Sequence, residues 1–353
     1  MPGGRLVLHV GAMKSGTTFI QSRLFAHRDL LQERGVRVPG QRRRSQVLAV
    51  QQLLRGGGPM WDKHAAAVSR HDGTSVISME LLGPARDEVV ATLRDSVQGE
   101  GATEVEVVIT ARDLNRSIPA MWQETVQNGR SWGWHDYVIG ARTDRPSART
   151  GAPVTEPGRA FWIQQDLVRM ARTWASVFGP ERVTVVTVPP PGSEPELLWA
   201  RFAGIVGPEL DGLTSVPDPN ESLGAASASA MRRLNELLDA EGLPFPRGHQ
   251  LRKRLLTKQV LAARKSAEPA IGLGVLPWVT EEASAQEAGL VDLGVRLVGD
   301  WADLTPVDVP GVDPETLDDH EVGEAALAGL AGLLAALTRS AESEGPSVSP
   351  RLT

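Results

Sequence analysis

The residues best equipped for chemistry sit together near the start of the chain, in Gly11-Ala12-Met13-Lys14-Ser15-Gly16-Thr17-Thr18. Lys14 brings a full positive charge, and Ser15, Thr17 and Thr18 bring hydroxyl donors. Gly11 and Gly16 let the backbone approach a ligand without a Cβ in the way. If a helix starts at Thr17, its unpaired N–H groups and the positive end of its dipole face the same point, which makes an anion site. The anion such a cradle suits is phosphate-like. A nucleoside-triphosphate loop places its lysine after the second glycine, whereas here Lys14 precedes Gly16.

The elements that must hold this cradle follow from hydrophobic patterning. Leu6, Val7 and Leu8 read as a short buried strand, residues 11–16 as a turn, and residues 17–33 as a helix stopped by Gly35. Residues 36–39 then extend away. Residues 41–68 are helical in pattern but broken at Gly56-Gly57-Gly58, giving two helices. Residues 74–78, 105–110 and 182–188 are rich in Val, Ile and Thr and read as three further strands, with helices expected at 87–97, 161–178 and 195–205. Alternation at these lengths implies parallel crossovers and an α/β fold of three layers around a central parallel sheet.

Two charged residues then stand just past strand ends, where open α/β sheets bind ligands: Glu80 after the second strand and Arg112 after the third. Asp113 could be a magnesium ligand in a nucleotide hydrolase, but the matching lysine order is missing. Arg42, Arg43 and Arg44 form a basic run that reads as a solvated face unless it turns toward the anion. Residues 122–136 hold three tryptophans and His135, which suit either a core or a platform for a sugar or aromatic acceptor. Residues 142–157 lack periodicity and read as an exposed loop. Beyond Gly207 the strand signal fades, and helices are expected to about residue 241, through the basic stretch Arg252 to Lys265, over 281–301 and over 315–340. The chain therefore divides, by sequence, into an α/β core at 1–207, a helical C-terminal part at 208–340 and a disordered Ser/Pro/Glu tail at 341–353.

Composition narrows the function. The 353 residues carry a net charge of -6, which argues against a general nucleic-acid binder. With no cysteine, disulfides, thiolate metal sites and cysteine nucleophiles are excluded. The first apolar run is too short for a signal peptide, so a cytoplasmic protein is expected. The uncharged run 325–338 is 14 residues, below the length that spans a bilayer. Its leucines 327, 330, 333, 334 and 337 share one side of a helix and are expected to pack on the core or on a second subunit, so a homo-oligomer is open.

The lysine-before-glycine loop, its strand-turn-helix setting, the strand ending at Arg112 and the later strand with its Pro189-Pro190-Pro191 turn resemble the sulfotransferase superfamily, whose donor is 3'-phosphoadenosine-5'-phosphosulfate (PAPS). The resemblance is narrower to bacterial sulfotransferase-like proteins and covers roughly residues 5–205. It implies a P-loop-like fold that cradles the 5'-phosphosulfate with Gly11, Lys14, Ser15, Gly16, Thr17 and Thr18. It also implies that Arg112 and a nearby serine hold the 3'-phosphate. The serine expected eight residues after Arg112 is Ala120 here, and Ser117, one turn earlier, is the substitute. The implied reaction moves a sulfuryl group to a hydroxyl or amine of a small-molecule or saccharide acceptor, with Lys14 catalytic, no metal, and Glu80 the first choice of base ahead of His9 and His135. A P-loop kinase and a non-catalytic nucleotide-binding scaffold are the alternatives.

Overall fold

The computed structural model describes residues 4–98, 103–148, 154–214, 222–243, 245 and 249–343. By contacts the chain forms two compact units: Met1–Ile118, Ile139–Asn220 and Val275–Asp308 make the first, and Pro119–Val138, Glu221–Gly274 and Val309–Thr353 the second.

The first unit is an α/β domain around a six-stranded sheet. Its strands are β1 (Arg5–Gly11), β2 (Val36–Arg37), β3 (Thr74–Ser78), β4 (Glu104–Ala111), β5 (Val183–Thr187) and β6 (Arg296–Val298), in the order β2-β3-β1-β4-β5-β6. Every pairing is parallel. Parallel strands need crossovers, and crossovers cover both faces. Alternation along β1 sends Leu6, Leu8 and Val10 to one face, with Val107 and Ile109 of β4, against the helices Arg43–Leu53, Asp87–Gln98 and Leu167–Phe178. Val7 points the other way, with Val76 and Val108, onto Ile20 and Leu24 of the helix Thr17–Ala26 and onto Phe202 of the helix Leu197–Val206. The three layers expected from the sequence are thus the layers of the fold.

This topology sets a switch point in the sheet. The connection leaving β1 enters a helix on one face, while that leaving β3 leads to Asp87–Gln98 on the other. Where successive connections depart to opposite faces, the carboxyl ends of the strands are left open between them.

Several local expectations are corrected. The helix over 17–33 breaks at His27 into Thr17–Ala26 and Arg28–Glu33. The helix over 161–178 is two helices, Glu156–Gln165 and Leu167–Phe178, because the Asp166 side chain accepts from Arg169 N and starts a new one. Residues 36–39 contribute the edge strand β2. Strand structure also continues past Gly207: the helix Pro277–Asp292 ends before Gly294, whose φ of 70° turns the chain into β6. The stretch expected as a loop over 142–157 holds the end of the helix Trp134–Thr143 and the start of Glu156–Gln165, and its residues 149–153 lie outside the described residues.

In the second unit the helices Ala225–Ala240, Gln250–Leu261 and Asp319–Ser343 dominate. Val322 and Ala325 pack on Ala226 and Ala230. Trp122 and Trp134 are buried edge to face at 5.5 Å, so these two tryptophans fill a core. The uncharged run 325–338 belongs to a longer helix than its own length suggested. Asp319–Arg339 is, among the described residues, the one helix long and apolar enough to cross a membrane by length and composition. The tail expected to be disordered lies outside the described residues from position 344 on.

Candidate active site at the carboxyl edge of the sheet

The turn after β1 is shaped by three residues of positive φ. Gly11 has φ 129°, Lys14 φ 63° and Gly16 φ 77°. Lys14 is the one non-glycine among the described residues in this region, a conformation that costs on the order of 1 kcal/mol or more and tends to persist where function holds it. At Gly16 a Cβ would lie 2.3 Å from Leu198 Cδ2, so a side chain there would push that methyl aside and also meet an unfavourable φ. Gly16 is also the N-cap of Thr17–Ala26, and no side chain caps that helix. Its first-turn N–H groups are left for an external acceptor. Ser15 is fully buried and its Oγ has no hydrogen-bond partner. A buried hydroxyl without a partner costs roughly 1–3 kcal/mol, a cost that a ligand bringing an acceptor would offset.

The loop is fastened from two sides. Gln165 Nε2 donates to Met13 O at 2.8 Å, and Arg112 Nη1 donates to Lys14 O at 3.4 Å. Arg112 follows β4 directly, and burial chiefly, with the nearby Arg116 second, lowers its pKa to about 10. Its Nε is buried with no partner. An anion at this point would relieve both the missing hydrogen bond and the uncompensated charge.

Glu80 stands one residue past β3 and Met79, with its backbone against the loop: a Cβ on Gly11 would be 3.7 Å from Glu80 O. Its carboxylate accepts from Gln21 Nε2 at 2.7 Å and from Arg43 Nη2 at 3.2 Å. Gln21 is the residue that sequence reading missed, while Arg43 was named only as one of a basic run. Arg43 is the middle of the basic run, and it is half-buried while Arg42 and Arg44 are exposed. Gln21 Nε2 also donates to Ser78 O at 3.0 Å, and its Oε1, like Arg43 Nε, is buried without a partner. The signal for Gln21 was its place one helical turn after Thr17, on the first helix beyond the cradle.

The remaining candidates are engaged elsewhere. His9 lies inside β1, fully buried, with Nδ1 2.7 Å from Ser78 Oγ and Nε2 3.1 Å from Thr110 Oγ1. Thr110 Oγ1 donates to Gly11 O, so the network assigns the proton to Nε2 and has Ser78 donate to Nδ1. Burial lowers its pKa to about 3. Ser117 is fully buried and its hydroxyl donates to Asp113 O at 3.0 Å, within its own helix. Asp113 is ion-paired to Arg116, which also donates to Pro189 O at 3.3 Å and so ties the proline turn to the helix Leu114–Gln127 that follows β4. His135 belongs to the second unit, held by Asp313 and Glu315. In the basic stretch after residue 250, Lys253 pairs with Glu124 and Arg264 with Glu268.

Comparison with protein-family models, with curated proteins and with solved structures gave no match.

Proposed function

We propose that the chain is a PAPS-dependent sulfotransferase acting on a hydroxyl or amine of a small-molecule or saccharide acceptor. The observation that carries the reading is the orphaned Ser15 Oγ inside an uncapped helix N-terminus, beside a lysine held at positive φ. Arg112, with its own orphaned Nε, supports a second anionic group at the same edge, which suits a donor carrying both a 5'-phosphosulfate and a 3'-phosphate. Lys14 and the first-turn N–H groups would hold the 5' end, and Arg112 the 3' end.

In that reaction the acceptor oxygen forms a new bond to sulfur as the bond from sulfur to the bridging phosphate oxygen breaks. Charge grows on that oxygen, and Lys14 with the loop N–H groups stabilises it. The acceptor proton passes to Glu80, whose carboxylate is fixed by Gln21 and Arg43. Glu80→Gln is expected to lower turnover by ~10²- to 10⁴-fold while leaving adenosine bisphosphate affinity within a few fold; full turnover in that variant would take Glu80 out of the role.

A specific observation keeps a second reading in view. Position 120 is alanine and the Ser117 hydroxyl is committed to its own helix, which favours a nucleotide-binding scaffold without turnover. Calorimetry with adenosine 3',5'-bisphosphate against magnesium-ATP, followed by mass-spectrometric screening of acceptors for added sulfate, separates the readings. Bisphosphate binding with sulfate transfer supports the enzyme, and binding without transfer across a broad panel supports the scaffold. Tight ATP binding with none of the bisphosphate overturns both.

A further inference from the structure

The buried groups without partners at the carboxyl edge are not of one kind. Arg43 Nε and Arg112 Nε can only donate a hydrogen bond, and the Ser15 hydroxyl can donate one, so all three suit an anion. Gln21 Oε1 can only accept. A phosphosulfate carries acceptors alone and leaves this oxygen unsatisfied.

The amide cannot escape by turning round. Gln21 Nε2 spends its two hydrogens on Ser78 O at 3.0 Å and Glu80 Oε2 at 2.7 Å, and a flipped amide would set Oε1 against both of those acceptors. Gln21 is fully buried on the helix Thr17–Ala26, so bulk water does not supply the missing donor. Its Oε1 lies one amide width from Nε2, and Nε2 is bonded to one oxygen of the Glu80 carboxylate. On the other oxygen stands Arg43, whose Nη2 reaches Glu80 Oε1 at 3.2 Å and whose Nε is unpaired among the described residues. The Glu80 and Arg43 side chains are 15% and 40% exposed, so a ligand can reach this group from solvent.

Glu80 thus has an unfilled acceptor on one flank and an unfilled donor on the other. A lone alcohol or phenol spends its one hydrogen on Glu80 and answers neither flank, whereas hydroxyls on the carbons beside the reacting one can donate to Gln21 and accept from Arg43. We propose that Gln21 and Arg43 determine specificity by reading those neighbouring hydroxyls, and that the acceptor is a polyol with hydroxyls on adjacent carbons, as in a saccharide ring. This names the substrate class of the sulfotransferase site proposed above and rests on that reading.

Sulfate transfer from PAPS to the 2-position of cyclohexane-1,2,3-triol, to its 1,3-dimethyl ether and to cyclohexanol tests it. The ether keeps the neighbouring oxygens and loses their hydrogens. The triol is expected to exceed the ether in kcat/KM by about 10- to 100-fold, the cost of leaving Gln21 Oε1 unpaired, and cyclohexanol to fall below both. Gln21→Met, which removes the oxygen at similar size, is expected to slow transfer by loosening Glu80 and to bring triol and ether within about 3-fold of each other. A residue that only steadied Glu80 would slow both acceptors alike and leave their ratio. Arg43→Met is expected to keep the triol ahead of the ether and to erase the lead of the ether over cyclohexanol. Transfer at equal rates to triol and ether, as an ordered water filling both flanks would give, or a ratio untouched by Gln21→Met, overturns this inference and leaves the enzyme standing. No transfer to any acceptor overturns both. Should Gln21→Met fail to fold, the ratio in the wild type decides alone.

Discussion

The two edges of the central sheet are built from similar residues and end in opposite states. At the amino edge, Arg5 donates to Glu106, to Val206 O and to Ile205 O, while Arg296 reaches Glu106 and Thr184 from the other side. Each of these bonds closes on a protein group, with the Arg296 side chain half exposed to solvent. At the carboxyl edge, Ser15 Oγ, Gln21 Oε1, Arg43 Nε and Arg112 Nε are all buried without partners. Burying polar groups is tolerable when they are satisfied; the amino edge also holds one that is not, Ser75 Oγ in β3, but the carboxyl edge gathers four. The amino edge is a structural clasp and the carboxyl edge, in the function proposed above, a receptor for an anion. Conformation points the same way, since Lys14 adopts positive φ at the open edge.

The sharpest way to break this comparison is to truncate one residue at each edge. Lys14→Ala is expected to lower sulfate transfer by about 10²- to 10³-fold, the usual loss for one preorganised donor at developing charge, with the melting temperature little changed because alanine keeps the Cβ that strains that φ. Glu106→Gln should do the reverse, lowering stability by roughly 1–3 kcal/mol because two arginines lose their shared carboxylate, with adenosine bisphosphate affinity retained. Paired thermal melts and turnover assays check both. If each variant moved both readouts equally, the division between a clasp and a receptor would be lost.

A second test acts within the open edge. Arg112→Ala is expected to weaken adenosine 3',5'-bisphosphate about 10- to 100-fold, the worth of a charge-assisted hydrogen bond out of water, and to leave adenosine 5'-monophosphate nearly unaffected. Calorimetry on the two nucleotides reads this directly. Equal losses for both would move Arg112 from the 3' end to a general role in holding the loop, which its contact to Lys14 O at 3.4 Å would then explain.

How much of this was legible in the sequence depends on whether the signal is local. β1, β3, β4 and β5 are runs of β-branched residues bounded by turn formers, and the cradle is contiguous, so both could be read directly. β2 and β6 could not, since two or three residues carry no period and their pairing comes from the sheet they join. The break at Asp166 had a readable cause, an aspartate ahead of an apolar run, hidden because the apolar pattern continues through it. Lys14 and Arg112 were accessible from position along their strands. The hold on Glu80 was not: Gln21 lies 59 residues before it and Arg43 37 residues before it, and only the crossovers bring them together.

Two histidines respond to acid with opposite sign. His9 is neutral and buried, with a folded pKa near 3 against about 6.5 unfolded, so the unfolded chain takes up a proton that the folded chain refuses. Its contribution is complete above about 6.5 and is lost as pH falls toward 3, roughly 1 kcal/mol for each pH unit in that window. His135 is exposed, and its hydrogen bond to Asp313 chiefly, aided by the charges of Asp313, Glu315 and Asp136, raises its pKa above the ordinary value. Its contribution is therefore complete below about 6.5 and disappears as pH rises through the raised folded value, weakened further by salt because the pair faces solvent. A His9→Gln variant should flatten the acid limb of the stability curve, and NMR titration of the His135 ring should report a midpoint above 6.5. A His9 ring that titrated near its unfolded value would mean that water reaches β1, and the buried Ser78–His9–Thr110 relay beneath the cradle would then be no rigid floor for it.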